Sequence, residues 1–116
     1  MLLYSIILFA VAALFGLYLI SRVFAGQLPA WAPVILHGLF AASGLLILLY
    51  AAFLAGPAPG AVTLAAVLLL VAALGGFALF SFQLRRQVPP KPLAAIHALA
   101  AVAGFLTLCA SVFRLI

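Results

Sequence analysis

Four apolar stretches, each about as long as a lipid bilayer is thick, dominate this chain. An apolar segment of about 20 residues crosses a bilayer as a helix, because a helix pairs its backbone polar groups internally. The sequence therefore predicts an all-α protein, a four-helix transmembrane bundle that forms one integral membrane domain over residues 1–116. The predicted helices cover roughly residues 3–24, 34–54, 61–84 and 93–113.

Charged side chains are almost absent from the chain. It is 72% apolar, with five Lys and Arg residues and no Asp or Glu. A soluble domain needs a charged surface that this composition does not supply. Five scattered cations form no basic face, so we expect no nucleic-acid partner. Without carboxylates for acid–base chemistry, we expect a protein that is not an enzyme.

The connections between the stretches are short and rich in Gly and Pro, which end helices. Short connections make consecutive helices antiparallel neighbours, so we expect an up-down-up-down bundle. Residues 1–21 lack a basic segment and a cleavage motif typical of signal peptides, so we expect the first helix to be retained.

Cations at the helix ends predict the orientation. Cytoplasmic loops carry an excess of Lys and Arg. In a bacterial inner membrane, loops 25–33 and 85–92 would be cytoplasmic and both termini would lie outside. Four cations lie on the cytoplasmic side in this arrangement, and Arg114 alone lies on the other: Arg22, Arg85, Arg86 and Lys91. Gln83 and Gln87 next to these arginines are expected to form a solvated helix end.

An internal repeat divides the chain into two hairpins. Residues 1–56 align with residues 61–116 without a gap, and 17 positions match. Composition alone would give roughly seven matches, so the pattern indicates tandem helical hairpins related by a pseudo-twofold axis along the membrane normal. The matched glycines Gly16 and Gly76 are interpreted as helix-packing positions.

Two histidines, His37 and His97, are matched by the repeat. An ionisable residue inside a membrane normally points into the bundle and marks a functional site. Helices 2 and 4 lie diagonally in an up-down bundle, so the imidazoles are expected to face each other. One b-type haem with two axial histidines is the specific function that this pair favours. Small residues on the same helix faces would leave room for the macrocycle: Ala41 and Gly44 beside His37, and Ala101 and Gly104 beside His97.

The haem hypothesis also uses the cations. Haem propionates need positive partners near the membrane surface, and Arg22, Arg85, Arg86 and Lys91 lie on the histidine side of the chain. In layout, and in His37 and His97, the chain resembles small four-helix membrane cytochromes b, which have paired histidine ligands near one surface. The resemblance implies electron transfer and, with one histidine pair, a single haem.

Other functions remain open at this point. The histidines could hydrogen-bond a quinone, or His37 and His97 could bind a divalent metal ion, although two ligands underfill such a site. They could also serve only to hold helices together, in a structural accessory subunit of a larger membrane complex. Expected partners are therefore the lipid bilayer, other membrane subunits and a second copy of the chain.

Overall fold

A computed structural model describes all 116 residues as helices joined by short connections. Helix α1 spans Leu2–Phe24, α2 spans Trp31–Leu49, α3 spans Gly60–Leu84 and α4 spans Lys91–Val112. A π-helical turn, Tyr50–Leu54, continues α2. There are no strands, and the four-helix fold is the one that the apolar stretches predict.

All four helices begin earlier than the sequence predicts, α1 and α3 by one residue and α2 and α4 by two or three. Pro33 is the third residue of α2 and Pro92 is the second residue of α4. Proline fits the first helical turn because the N–H groups there have no helical partner. The prolines therefore mark the first turn of α2 and α4, and the helices start up to three residues before the predicted positions.

Helices α1 and α3 end in the same way. After α1, Gly26 takes a left-handed conformation with φ 72°, and the Gln27 N–H donates to the Arg22 carbonyl at 2.9 Å. After α3, Arg86 has φ 57°, and the Gln87 N–H donates across the same span at 2.9 Å. These are Schellman-type caps, which pair the last carbonyls of a helix. Arg86 adopts a conformation in which glycine is the usual residue.

The helices pack as two hairpins that form one bundle. The closest packing is within the α1–α2 and α3–α4 hairpins, and the hairpins meet through α1–α4 and α2–α3. Helices α2 and α4 therefore lie on a diagonal. The bundle measures 43 × 21 × 19 Å, and each of its four helices is long and apolar enough to cross a membrane. These are the features of a small membrane protein.

The hydrophobic core occupies one half of the bundle. We call the end with both termini and residues 55–59 the turn end, and the end with residues 25–30 and 85–90 the loop end. Buried Ser5 donates a 2.8 Å hydrogen bond to the Gly44 carbonyl within this core, joining α1 to α2. A cavity takes the place of a core in the loop half. The core side chains are those of Ile6, Phe9, Leu48, Ala52, Val62, Ala65, Ala66, Leu69 and Leu108.

Candidate functional site: a cavity with two histidines

The two histidines meet at the centre of the bundle. His37 and His97 are the seventh residues of α2 and α4, about 9 Å along each helix from its start. Their ring centroids are 6.2 Å apart and their ring planes are inclined by 75°. The imidazoles therefore face each other across the bundle axis, as the diagonal placement of their helices predicts.

Each imidazole is anchored to the other helix of its own hairpin. His37 Nδ1 lies 2.8 Å from the Ala12 carbonyl oxygen, and His97 Nδ1 lies 2.7 Å from the Ala72 carbonyl oxygen. A carbonyl can only accept, so each Nδ1 carries the proton and donates. Neither Nε2 atom has a hydrogen-bond partner in the protein. In a neutral imidazole, Nε2 then keeps a lone pair that can bind a metal.

A glycine gives each imidazole access to its carbonyl. Gly16 lies four residues after Ala12, and Gly76 lies four residues after Ala72, so each glycine is on the same helix face as the accepting carbonyl. A Cβ atom on Gly16 would lie 3.2 Å from His37 Cε1, and one on Gly76 would lie 3.3 Å from His97 Cε1. The interpretation of these glycines as helix-packing positions missed this role. The shared signal was the four-residue spacing, which recurs in both hairpins.

The cavity around the imidazoles has a volume of about 980 Å³, which is in the range of small-molecule sites. All four helices line it, and Ala41 and Ala101 are part of its wall. Its only polar side chains are those of His37, His97 and Gln83. The cavity is therefore an apolar chamber with three fixed polar groups.

Gln83 differs from its expected position in a solvated helix end. It is only 4% exposed, and its Nε2 donates a 3.0 Å hydrogen bond to the Pro29 carbonyl of the other hairpin. Because Pro29 is buried beside it, the amide lies inside the bundle. The correction has a physical cause: Gln83 faces the neighbouring hairpin, whereas Gln87 lies beyond the end of α3 and is exposed.

Gly44 and Gly104 lie away from the imidazoles. A Cβ atom on Gly44 would lie 3.2 Å from the Phe9 ring, and one on Gly104 would lie 2.6 Å from Leu69 Cγ. Neither glycine lines the cavity. The room that they leave is filled by side chains of α1 and α3, so it is not available beside the histidines, where the sequence led us to expect it.

The predicted cations surround the loop end of the bundle but do not line the cavity. Arg22 donates through Nη2 to the Leu28 carbonyl at 3.4 Å, and its buried Nε has no partner. Arg85 lies over the Phe82 ring, 4.5 Å from the centroid. Arg86 and Lys91 are exposed. The four cations are therefore close to the loop-end surface, and Arg22 alone has an unpaired buried donor.

The histidine pair has no companion that would complete an ordinary metal site. No group of three or more His, Cys, Asp or Glu side chains occurs in the structure. A zinc or copper site normally takes three or four protein ligands. Two imidazoles alone suit a metal whose other ligands come from a cofactor.

Comparison of the chain with family models, curated proteins and solved structures finds no match. By its fold and site, the chain is a small protein in which four helices, apolar and long enough to cross a membrane, enclose two opposed, backbone-anchored histidines.

Proposed function

We propose that this protein binds one b-type haem through His37 and His97 and acts as an electron-transfer or redox subunit. The spacing of the rings is the main support. A metal-bound imidazole nitrogen lies about 2 Å from its metal, and the ring centroid lies about 1 Å further away. Two imidazoles on opposite sides of one iron therefore have centroids roughly 6 Å apart. The observed separation of 6.2 Å fits this requirement.

The hydrogen bonds of the imidazoles provide further support. A metal-binding histidine usually donates its other N–H to a carbonyl or carboxylate, which fixes the ring and increases the basicity of the ligand. Ala12 and Ala72 supply such carbonyls. A haem bound here would supply one-electron chemistry. With an imidazole on each side of the iron, electron transfer is favoured over chemistry that needs an open coordination position.

The surroundings suit the two parts of a haem. The apolar walls, with small Ala41 and Ala101 in them, suit the flat macrocycle. Propionates would lie towards the loop-end surface, where Arg22, Arg85, Arg86 and Lys91 lie outside the cavity wall and would turn towards them. The chain contains no acidic side chain that would compete for these cations. The same cations favour a cytoplasmic position for the loop end in a bacterial inner membrane.

Visible spectroscopy of the detergent-solubilised protein tests the proposal. We expect a Soret band when the protein is oxidised, and sharp α and β bands after reduction with dithionite. His37→Ala and His97→Ala should lose the low-spin spectrum. His37→Asn is the matched control, because an amide N–H can still donate to the Ala12 carbonyl but cannot replace Nε2. We expect it to lose the spectrum and keep the fold.

Two results would contradict the haem proposal or its ligand assignment. A colourless protein after expression with ample haem would overturn the proposal. An unchanged low-spin spectrum in both alanine variants would overturn the assignment of the ligands.

A structural accessory subunit is the second candidate. It is favoured by the hydrogen bonds from His37 to Ala12 and from His97 to Ala72, which could serve helix packing alone. Such bonds contribute on the order of 1 kcal/mol in membranes. This candidate predicts that His37→Ala lowers stability by about this amount, that His37→Asn restores it, and that no cofactor is lost.

A further inference from the structure

The cavity opens sideways between α2 and α3. Several residues both line the cavity and are exposed, and these residues mark its mouth. On the opposite side of the bundle, between α1 and α4, only three residues both line the cavity and are exposed: Ala13, Leu17 and Val102. The main opening, which we call the window, is formed by Ile35, Gly38, Leu39 and Ala42 of α2 and by Leu70, Leu74 and Phe77 of α3.

The window is closed at both ends. At the loop end, Gln83 donates to the Pro29 carbonyl at 3.0 Å, and Trp31 packs edge-on against Phe80 with centroids 6.0 Å apart. At the turn end, the hydrophobic core fills the bundle. Because the window lies between two apolar helices within their membrane-spanning lengths, it faces lipid. A small flat molecule that enters from the bilayer suits this shape better than a partner helix, which packs along a continuous face.

The side-chain amide of Gln83, inside the cavity, makes only some of the hydrogen bonds that an amide can make. Gln83 lines the cavity and is 4% exposed. Its Nε2 donates to Pro29, and its Oε1 accepts no hydrogen bond in the protein. Oε1 is not among the fully buried unpaired atoms, so it is open to the cavity and can accept a hydrogen bond from a ligand that brings a donor. An acyl chain brings none, whereas a hydroxyl group does.

We propose that the window binds the ring of a lipid-soluble hydroquinone, with one ring hydroxyl donating to Gln83 Oε1. Because the mouth faces lipid, the ligand must be lipid-soluble. Because the window is closed at both ends, the part that enters must be small and flat. Because Gln83 Oε1 is an acceptor, the ligand should carry a hydroxyl donor. The binding site stands on this geometry alone. Its use in exchanging electrons with the protein rests on the proposed haem.

Calorimetric titration with a decyl-substituted hydroquinone under reducing conditions tests the site. We expect saturable binding to the intact protein in detergent. Gly38 is exposed at the mouth, and a Cβ atom there meets nothing within 4 Å, so Gly38→Leu should fold normally and obstruct the window. We expect this variant to bind at least about 10-fold more weakly, a difference of about 1.4 kcal/mol. Gly60→Leu is the matched control, because Gly60 also has open space but lies at the turn end; its binding should not change.

The hydroxyl contact has its own test. The dimethyl ether of the same hydroquinone has the ring and the chain but no donor. Loss of a neutral hydrogen bond corresponds to roughly 3- to 10-fold in affinity. We expect the ether to bind more weakly by this factor, and Gln83→Leu to weaken the hydroquinone without weakening the ether.

Three results would overturn the inference: no saturable binding, equal binding of hydroquinone and ether to the unmodified protein, or unchanged binding in Gly38→Leu. Equal binding would indicate that an acyl chain or another purely apolar molecule fills the window. Spectra after haem is added to the same protein separate this inference from the haem proposal. Because the window opens into the cavity that the proposed haem would share, the titration is made on haem-free protein. Failure of that protein to bind hydroquinone overturns only the window, and failure of the protein to take up haem overturns only the haem.

Discussion

Adding one methyl group at Gly16, where α1 lines the cavity, should disturb the anchoring of His37. A Cβ atom there would lie 3.2 Å from His37 Cε1 and 3.5 Å from His37 Nδ1. The first distance is shorter than an ordinary van der Waals contact, so the ring must move away from α1 by a few tenths of an ångström. Because Nδ1 lies on the same side of the ring, the 2.8 Å hydrogen bond to the Ala12 carbonyl lengthens.

The cost of Gly16→Ala should appear in the binding of the proposed haem more than in folding. Weakening one hydrogen bond lowers the free energy of unfolding by up to about 1 kcal/mol. Replacing glycine by alanine inside a helix raises the free energy of unfolding by a similar amount. The unfolding free energy should therefore change little. Loss of a group that orients a metal ligand typically lowers metal affinity 10- to 100-fold. Since the bond is strained and not removed, we expect the lower value, about 10-fold.

Haem titration into the haem-free protein measures this effect, and the reduction potential of the loaded protein gives a second readout. Gly38→Ala is the control, because it adds the same methyl group beside His37 in the sequence but in open space. Unchanged haem affinity in Gly16→Ala, or an equal loss in Gly38→Ala, would refute the role assigned to Gly16.

Three further predictions concern stability and orientation. Gly104→Ala places a methyl group 2.6 Å from a leucine Cγ and should lower stability by about 1–3 kcal/mol, measured by reversible unfolding in detergent; Gly60→Ala should not, and equal stability would contradict the packing. Ser5→Ala removes a buried hydrogen-bond donor and should cost about 1 kcal/mol; no loss in the same assay would count against that bond. A membrane-impermeant thiol reagent should label Gln87→Cys only from the cytoplasmic side and Ala58→Cys only from the other; the reverse pattern would invert the orientation.

The helices could be predicted from the sequence because each is set by its own composition. Uninterrupted apolar stretches fixed their number, and Gly and Pro set their ends to within about three residues. The π-helical turn Tyr50–Leu54 had no counterpart in the prediction. Its side chains are ordinary helix-compatible ones, so no local pattern in the sequence marks the turn.

The site could be predicted only in part. The spacing of His37 and His97 indicated a facing pair, because the helix order is simple. Their partners are backbone carbonyls, and every residue has one, so no residue type marks the right carbonyl. Gly16 and Gly44 both lie on helix faces that the internal repeat matches, but the axial offset between α1 and α2 decides which of them meets the imidazole. That offset depends on tertiary packing.

The uneven distribution of core and cavity has a mechanical consequence. The apolar side chains of the core join the two hairpins at the turn end, whereas only the Gln83–Pro29 bond and the Trp31–Phe80 contact join them at the loop end. Each imidazole–carbonyl bond lies wholly within one hairpin. The two hairpins are therefore joined mainly at the turn end, and a relative motion of the hairpins would pivot there. Opening the loop end would break the Gln83–Pro29 bond and separate the rings, but it would leave each imidazole anchored. Such a separation at the loop end would widen the cavity, and each histidine would keep its orientation because its anchoring carbonyl lies in the same hairpin.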